Sequence, residues 1–212
     1  MSRFGSIFGV LATLALALTQ ASPAQSSSDA LLQRMVSQSG RIHSYTAAVH
    51  ADIAMHTFPY LSPSLDGTYY HKEPDKNKIV FTSGLPSIAK QFSKVYPQVP
   101  SPARWKSVYV VSTENEADGV TTFKLVPRKH GRVDHIDARV DEKTATVVGL
   151  RWNYNDGGYA SLDQSYTTVD GTPVVSQQTG HFEVPTYSAD LKSTFSDFKI
   201  NANIPDSVFT QD

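Results

Sequence analysis

Cysteine is absent from the 212 residues of this chain. Its absence excludes disulfides, thiolate metal centres, a cysteine nucleophile and lipidation at a cysteine behind a signal sequence. Charge of either sign is not in excess: 19 Lys and Arg stand against 20 Asp and Glu, for a formal net charge of -1. With no net field to attract nucleic acid or an anionic membrane surface, partners are expected to be recognised by shape and apolar contact. The sequence also lacks a glycine-rich phosphate loop, an HExxH helix and a serine nucleophile motif, so neither a cofactor nor an enzymatic activity is expected. Past the N-terminus, no apolar run approaches the ~20 residues that span a bilayer as a helix.

The N-terminus itself reads as a secretory signal. Arg3 supplies a positive start, Ile7 to Leu18 is apolar and uncharged, and Ser22-Pro23-Ala24 offers small residues for cleavage after Ala24, with Ala21 as a second choice. Residues 1–24 are therefore expected to be a cleaved signal peptide, and 25–212 one exported domain, not membrane-spanning. Without disulfides, such a domain depends on core burial, for which its length suffices.

The strongest pattern present is Tyr45 to His56, where apolar and polar residues alternate. A period of two over this length marks a strand with one apolar face. Before it, after a Ser-rich linker at Ser26 to Ser28, Asp29 to Ser39 reads as a helix with Ser28 as N-cap and Gly40 as its stop; Leu31, Leu32, Met35 and Val36 form its apolar stripe. After it, Leu65 to His71 and Lys78 to Thr82 form a hairpin-like pair around Pro74 to Asn77. Ile88, Ala89, Phe92 and Val95 then recur at helical spacing from about Pro86. From Trp105 onward, strands return, punctuated by turns at Asn115 to Gly119, Asp141 to Lys143, Asn155 to Gly158 and Asp170-Gly171.

Short links favour an antiparallel meander. A sheet this large cannot leave its apolar face in water, yet only two amphipathic helices are available to cover it. Curling the sheet around them satisfies both facts. Incomplete filling would leave an apolar cavity suited to a hydrophobic ligand.

Few residues suggest chemistry. His50 and His56 share the polar face of the first strand with Asp52, but at about 20 Å apart along a strand they cannot share a metal. Asp134, His135 and Asp137 are more suggestive; alternation puts His135 and Asp137 on one face and Asp134 opposite, beside the basic run Arg128-Lys129-His130. A surface cluster is the reading preferred, with a hydrolase site around His135 the alternative. Trp152, Tyr154 and Tyr159 flank a turn, as ordinary cross-strand aromatics do.

Taken in order, the Leu-rich first helix, the alternating strand Tyr45 to Met55, the segment Gly67-Thr68-Tyr69-Tyr70-His71-Lys72-Glu73-Pro74, the C-terminal meander and the ending Phe198-Lys199-Ile200-Asn201 with Ile204 to Phe209 resemble the periplasmic outer-membrane lipoprotein carriers of the LolA/LolB-like superfamily. The resemblance implies an α+β, mostly β fold: an incurved antiparallel sheet, an unclosed β-barrel of about eleven strands, with lid helices over an apolar cavity. It implies a non-catalytic, monomeric periplasmic carrier or binding protein for lipoprotein acyl chains or another lipid, with inner- and outer-membrane donor and acceptor proteins as partners. An envelope regulatory, sensor or structural protein using the same fold is the alternative. The cavity and lid residues expected are Leu31, Leu32, Met35, Tyr45, Val49, Ile53, Met55, Tyr69, Phe81, Ile88 and Phe92. Carriers commonly have Arg just before the proline of the Gly-to-Pro segment, a residue tied to release; Glu73 stands there in this chain and is the expected rim residue.

Overall fold

The computed structural model describes residues 23–210 except 59, 61, 84–97 and 186. The second expected helix, with Ile88 and Phe92, lies outside the described residues. Ten strands form one antiparallel sheet: β1 (Ser44–Met55), β2 (Ser64–Lys72), β3 (Lys76–Phe81), β4 (Tyr109–Ala117), β5 (Val120–Pro127), β6 (Val133–Asp141), β7 (Thr146–Tyr154), β8 (Tyr159–Val169), β9 (Thr172–Val184) and β10 (Tyr187–Ile200). The order is β3-β2-β1-β10-β9-β8-β7-β6-β5-β4, so β3 and β4 are the two edges and the barrel is unclosed. The strand number is ten among the described residues, one short of the expectation.

The expected alternation sets β1. Ala47, Val49, Ala51 and Met55 are buried, whereas His50, Asp52 and Ala54 are exposed. Tight turns follow from left-handed backbone at Asp118-Gly119 and Asp170-Gly171, each a two-residue link between paired strands.

Two expectations are corrected at helices. The first helix, α1 (Pro23–Ser39), begins earlier than Asp29 and absorbs the presumed Ser-rich linker. Pro fits a first helical turn because its missing N–H has no partner there anyway, and Ser28, expected as a cap, is buried inside the helix. Trp105 is not on a strand: a 3-10 turn at Pro102–Arg104 leads into the four-residue α2 (Trp105–Val108). Its indole Nε1 donates to Pro100 O at 2.9 Å and its ring meets Phe123 edge-on at 5.9 Å. A third short helix, α3 (Ser207–Thr210), follows the last strand.

Leu31, Leu32 and Met35 of α1 join Met55, Trp105, Tyr109, Phe123, Leu125, Ile136, Val140, Trp152 and Phe182 in one buried cluster. At about 25 cal/mol per Å², burial of each of the large side chains contributes roughly 1.5–3 kcal/mol. Arg34 donating to Glu142 O at 2.7 Å and Lys106 pairing with Asp29 at 3.0 Å fix the helix at its polar edge.

Candidate functional site

Pairing across the sheet brings apolar residues of successive strands into one row on the inner face. Ile53 is opposite Leu191, Leu191 opposite Gly180, Gly180 opposite Leu162, Leu162 opposite Leu150, Leu150 opposite Ala138 and Ala138 opposite Phe123. The row spans β1, β10, β9, β8, β7, β6 and β5. A cavity of about 500 Å³ with a mainly apolar wall lies at its β1 end. Asp52, Ile53 and Ala54 of β1, Asp190, Leu191 and Lys192 of β10, and Thr179 and Gly180 of β9 line it, with Ser62 and Pro63 from the β1–β2 link. Pro63 O accepts the Ile53 N–H at 3.0 Å, which seats that link against the strand. Gly180, which has no side chain, stands between Leu191 and Leu162 in that row and lines the cavity with Leu191.

Toward the other end of β1 the same face is aromatic. Tyr45 lies 5.5 Å from Tyr69, 5.1 Å from His71 and 6.3 Å from Phe198, ring centre to ring centre, and Tyr69 meets Phe195 edge-on at 5.7 Å. The Tyr69 hydroxyl donates to Asn77 Oδ1 at 2.7 Å, and His71 Nδ1 is 2.8 Å from the same oxygen. Burial pushes the Tyr45 hydroxyl up to about 12 and Tyr69 well above the ordinary range, because phenolate is poorly solvated there. Burial raises Tyr166 as well, and its hydroxyl donates to Val147 O at 2.7 Å. These phenols are neutral donors at physiological pH.

The expected site residues thus divide. Ile53 lines the cavity; Tyr45 and Tyr69 belong to the aromatic group; Val49 is buried between the two regions on β1. Leu31, Leu32, Met35 and Met55 are part of the packed core, and Phe81 is half-buried on β3 opposite Gly67. Glu73 sits in the β2–β3 turn, where Oε2 meets His43 Nδ1 at 2.6 Å and its N–H donates to His43 O at 2.9 Å. Ser44, the β1 residue beside that turn, is about 30 Å along the strand from Ile53, so Glu73 and the cavity occupy opposite ends of the sheet. Leu191 and Gly180 were missed by sequence reading, although Gly180-His181-Phe182 lies on an alternating strand.

The outer face carries His50, His56, His135 and His181. His50 Nδ1 bonds Asp66 at 2.7 Å, chiefly through which its pKa is raised, and Asp52 lies 3.4 Å from its Nε2. His56 bonds Asp190 instead, at 2.8 Å, so the two histidines serve separate pairs. Around His135 the expected alternation fails: a register shift between Val133 and His135 brings Asp134 Oδ2 within 2.6 Å of Nδ1. Asn153 Nδ2 is 3.0 Å from His135 Nε2 and donates to Asp137 Oδ2 at 3.0 Å. Both ring nitrogens therefore have neighbours within the sheet itself. Trp152 and Tyr154 are core residues, while Tyr159 lies under the Arg151 guanidinium at 3.6 Å. Among the described residues, no group of three or more His, Cys, Asp and Glu could hold a metal ion, and no helix is long and apolar enough to cross a membrane.

No protein-family model matches the sequence, and no curated protein matches it. Solved structures do match in fold. A candidate outer membrane lipoprotein-sorting protein domain from Vibrio parahaemolyticus superposes with a TM-score of 0.65 at 10% identity, covering 86% of this chain and 97% of that one. The chain has a LolA-like fold. A LolA superfamily protein from Nitrosomonas europaea matches with a TM-score of 0.59 at 10% identity over 86% of this chain and 97% of that one. A DUF1329 family protein from Desulfovibrio piger matches with a TM-score of 0.62 at 12% identity over 89% and 98%. The LolA-like unclosed barrel is thus shared along nearly its whole length with very few identical residues.

Proposed function

We propose that this chain is a non-catalytic periplasmic carrier or binding protein that takes an acyl chain, of a lipoprotein or another lipid, into the cavity beside Ile53, Gly180 and Leu191. The carrying observation is the mainly apolar cavity of about 500 Å³ against the sheet, a size typical of small-molecule sites. The LolA-like fold supports the same reading, since two of the fold's solved examples are described by lipoprotein sorting or by the LolA name. Burying each methylene contributes about 0.8 kcal/mol, so ten contribute ~8 kcal/mol before ordering costs, enough for retention without a covalent bond.

In this reading residues 1–24 direct export and are removed; cleavage after Ala24 takes only the first two residues of α1. The mature chain acts as a monomer between donor and acceptor proteins of the two membranes. Native mass spectrometry of detergent-free protein from an exporting host tests the cargo: an adduct that organic extraction identifies as acyl lipid is expected. Protein that binds no acyl lipid, either as purified or after incubation with fatty acid and phospholipid, refutes it.

A further inference from the structure

The loops at the two ends of the sheet differ in charge. At the cavity end, the links 56–63, 128–132, 155–158 and 185–186 carry Arg128, Lys129 and Arg132, with Asp156 as their one carboxylate. Asp156 is paired with Arg132 at 3.0 Å. At the opposite end, the links 40–43, 73–75, 118–119, 142–145 and 170–171 carry Glu73, Asp75, Asp118, Glu142 and Asp170 against Arg41 and Lys143. The loops at the two ends are therefore opposite in charge, positive at the cavity end, while the strands beneath them carry acidic residues such as Asp52 and Asp190.

The cavity end is also where aromatic side chains are left in water. Tyr60 is 81% exposed and Phe58 36%, their rings edge-on at 6.3 Å. From Thr57 to Pro63 the sequence has no charged residue, and Ser62 and Pro63 of this link also wall the cavity. Across the rim, the Arg128 guanidinium donates to Lys106 O at 3.2 and 3.3 Å, which anchors the 128–132 link. Lys129 and His130 in it are exposed, with no hydrogen bond or ion pair among the described residues.

Phe and Tyr exposed together on an uncharged loop suit the boundary between acyl chains and headgroups, where a ring is buried and a hydroxyl stays wet. Lys129, a cation without a partner among the described residues at the same end, suits a lipid phosphate. A protein partner would account for the aromatic pair, but the positive loop at the same end of the strands, with Arg128, Lys129 and Arg132, suits an extended anionic surface. We infer that the cavity end docks on an anionic lipid surface, with Phe58 and Tyr60 entering the interfacial layer and Lys129 meeting the headgroups. The docking is independent of what the cavity carries.

Sedimentation of the full chain with vesicles tests it, using phosphatidylcholine alone and phosphatidylcholine containing one-quarter phosphatidylglycerol. Binding is expected to favour the anionic vesicles and to weaken with added salt. Lys129→Gln should reduce it about fivefold, and combined Phe58→Ser and Tyr60→Ser at least about tenfold. Lys143→Gln, at the opposite end, should change nothing, with unfolding temperatures confirming that each variant is folded. No preference for the anionic vesicles, an unchanged aromatic variant, or an equal effect of Lys143→Gln overturns the proposal. Acyl-lipid binding, measured separately in the absence of vesicles, judges the carrier reading, so either can fail alone.

Discussion

Asp190 joins His181 across β9 and β10 at 2.6 Å, and its second oxygen takes a bond from His56 of β1 at 2.8 Å. The His181 bond first, then that from His56, lower the Asp190 pKa below the ordinary carboxylate range. A group lowered on folding binds protons less readily in the folded state, so its contribution to stability is complete above the unfolded value of ~3.9 and is lost as pH falls through the folded one. Urea unfolding at stepped pH should show this loss below about pH 4. Asp190→Asn, which cannot titrate, should be less stable at neutral pH and should flatten this part of the acid limb.

Asp75 gives a second, separable contribution on the other side of the molecule. It accepts the Ser101 N–H at 2.7 Å and Arg104 Nη1 at 2.5 Å, tying the 98–104 segment to the β2–β3 turn. Burial alone would raise the Asp75 pKa, but the Ser101 and Arg104 bonds together outweigh it and hold the group below its usual value. The sign is the same as for Asp190. Asp75→Asn should speed amide exchange or proteolysis in residues 98–104 at neutral pH more than it changes global unfolding, which limited proteolysis measures.

Gly157 and Gly158 both have positive φ, at 89° and 82°, yet substitution should separate them. An added Cβ at Gly157 meets nothing within 4 Å, whereas one at Gly158 would stand 2.1 Å from Glu183 O. Gly157→Ala should cost about 1–2 kcal/mol for the left-handed backbone. Gly158→Ala must also displace the β9 backbone and should cost clearly more, as denaturant midpoints with an unchanged slope would record.

The two faces of β1 can be compared at adjacent residues. Val49→Asp places a carboxylate in a site that is 3% exposed and should destabilise by about 3 kcal/mol or more. At His50 the informative control is His50→Gln, expected to change stability by less than about 0.5 kcal/mol. His50→Asp would crowd Asp52 and Asp66, which flank this side chain at 3.4 and 2.7 Å.

Gly180→Leu should place a side chain at the cavity wall beside Leu191 and exclude an acyl chain from the cavity. Fluorescent fatty-acid titration is expected to show the loss of binding, with far-ultraviolet circular dichroism unchanged. The same titration on Glu73→Gln should show native affinity, because Glu73 pairs with His43 at the far end of β1.

Much of this was legible in the chain because a strand with one buried face writes its period directly into sequence, as Tyr45 to Met55 does. The four-residue helix at Trp105 was not, since one turn is too short to express a period and Trp in isolation reads equally well as strand. The pairing of Asp134 with His135 depends on a register shift that exists only between two strands. Charge balance concealed most: a net charge of -1 says nothing of how Lys129 and Asp170 are distributed, which is decided by the direction of the strands they connect. The cavity likewise needs Ile53, Gly180 and Leu191 to be neighbours, and only the pairing of β1 with β10 makes them so.

That pairing also fixes the order of assembly. Tyr45 is opposite Ile200 and Met55 opposite Ala189, so the first strand of the chain takes its central neighbour from the last. The β1–β3 meander and the β4–β9 meander can each form from local contacts, but neither has a complete inner face until β10 arrives between them. Closing so long a loop is slow compared with hairpin formation, and a chain emerging N-terminus first is held back from its final shape until β10 is made.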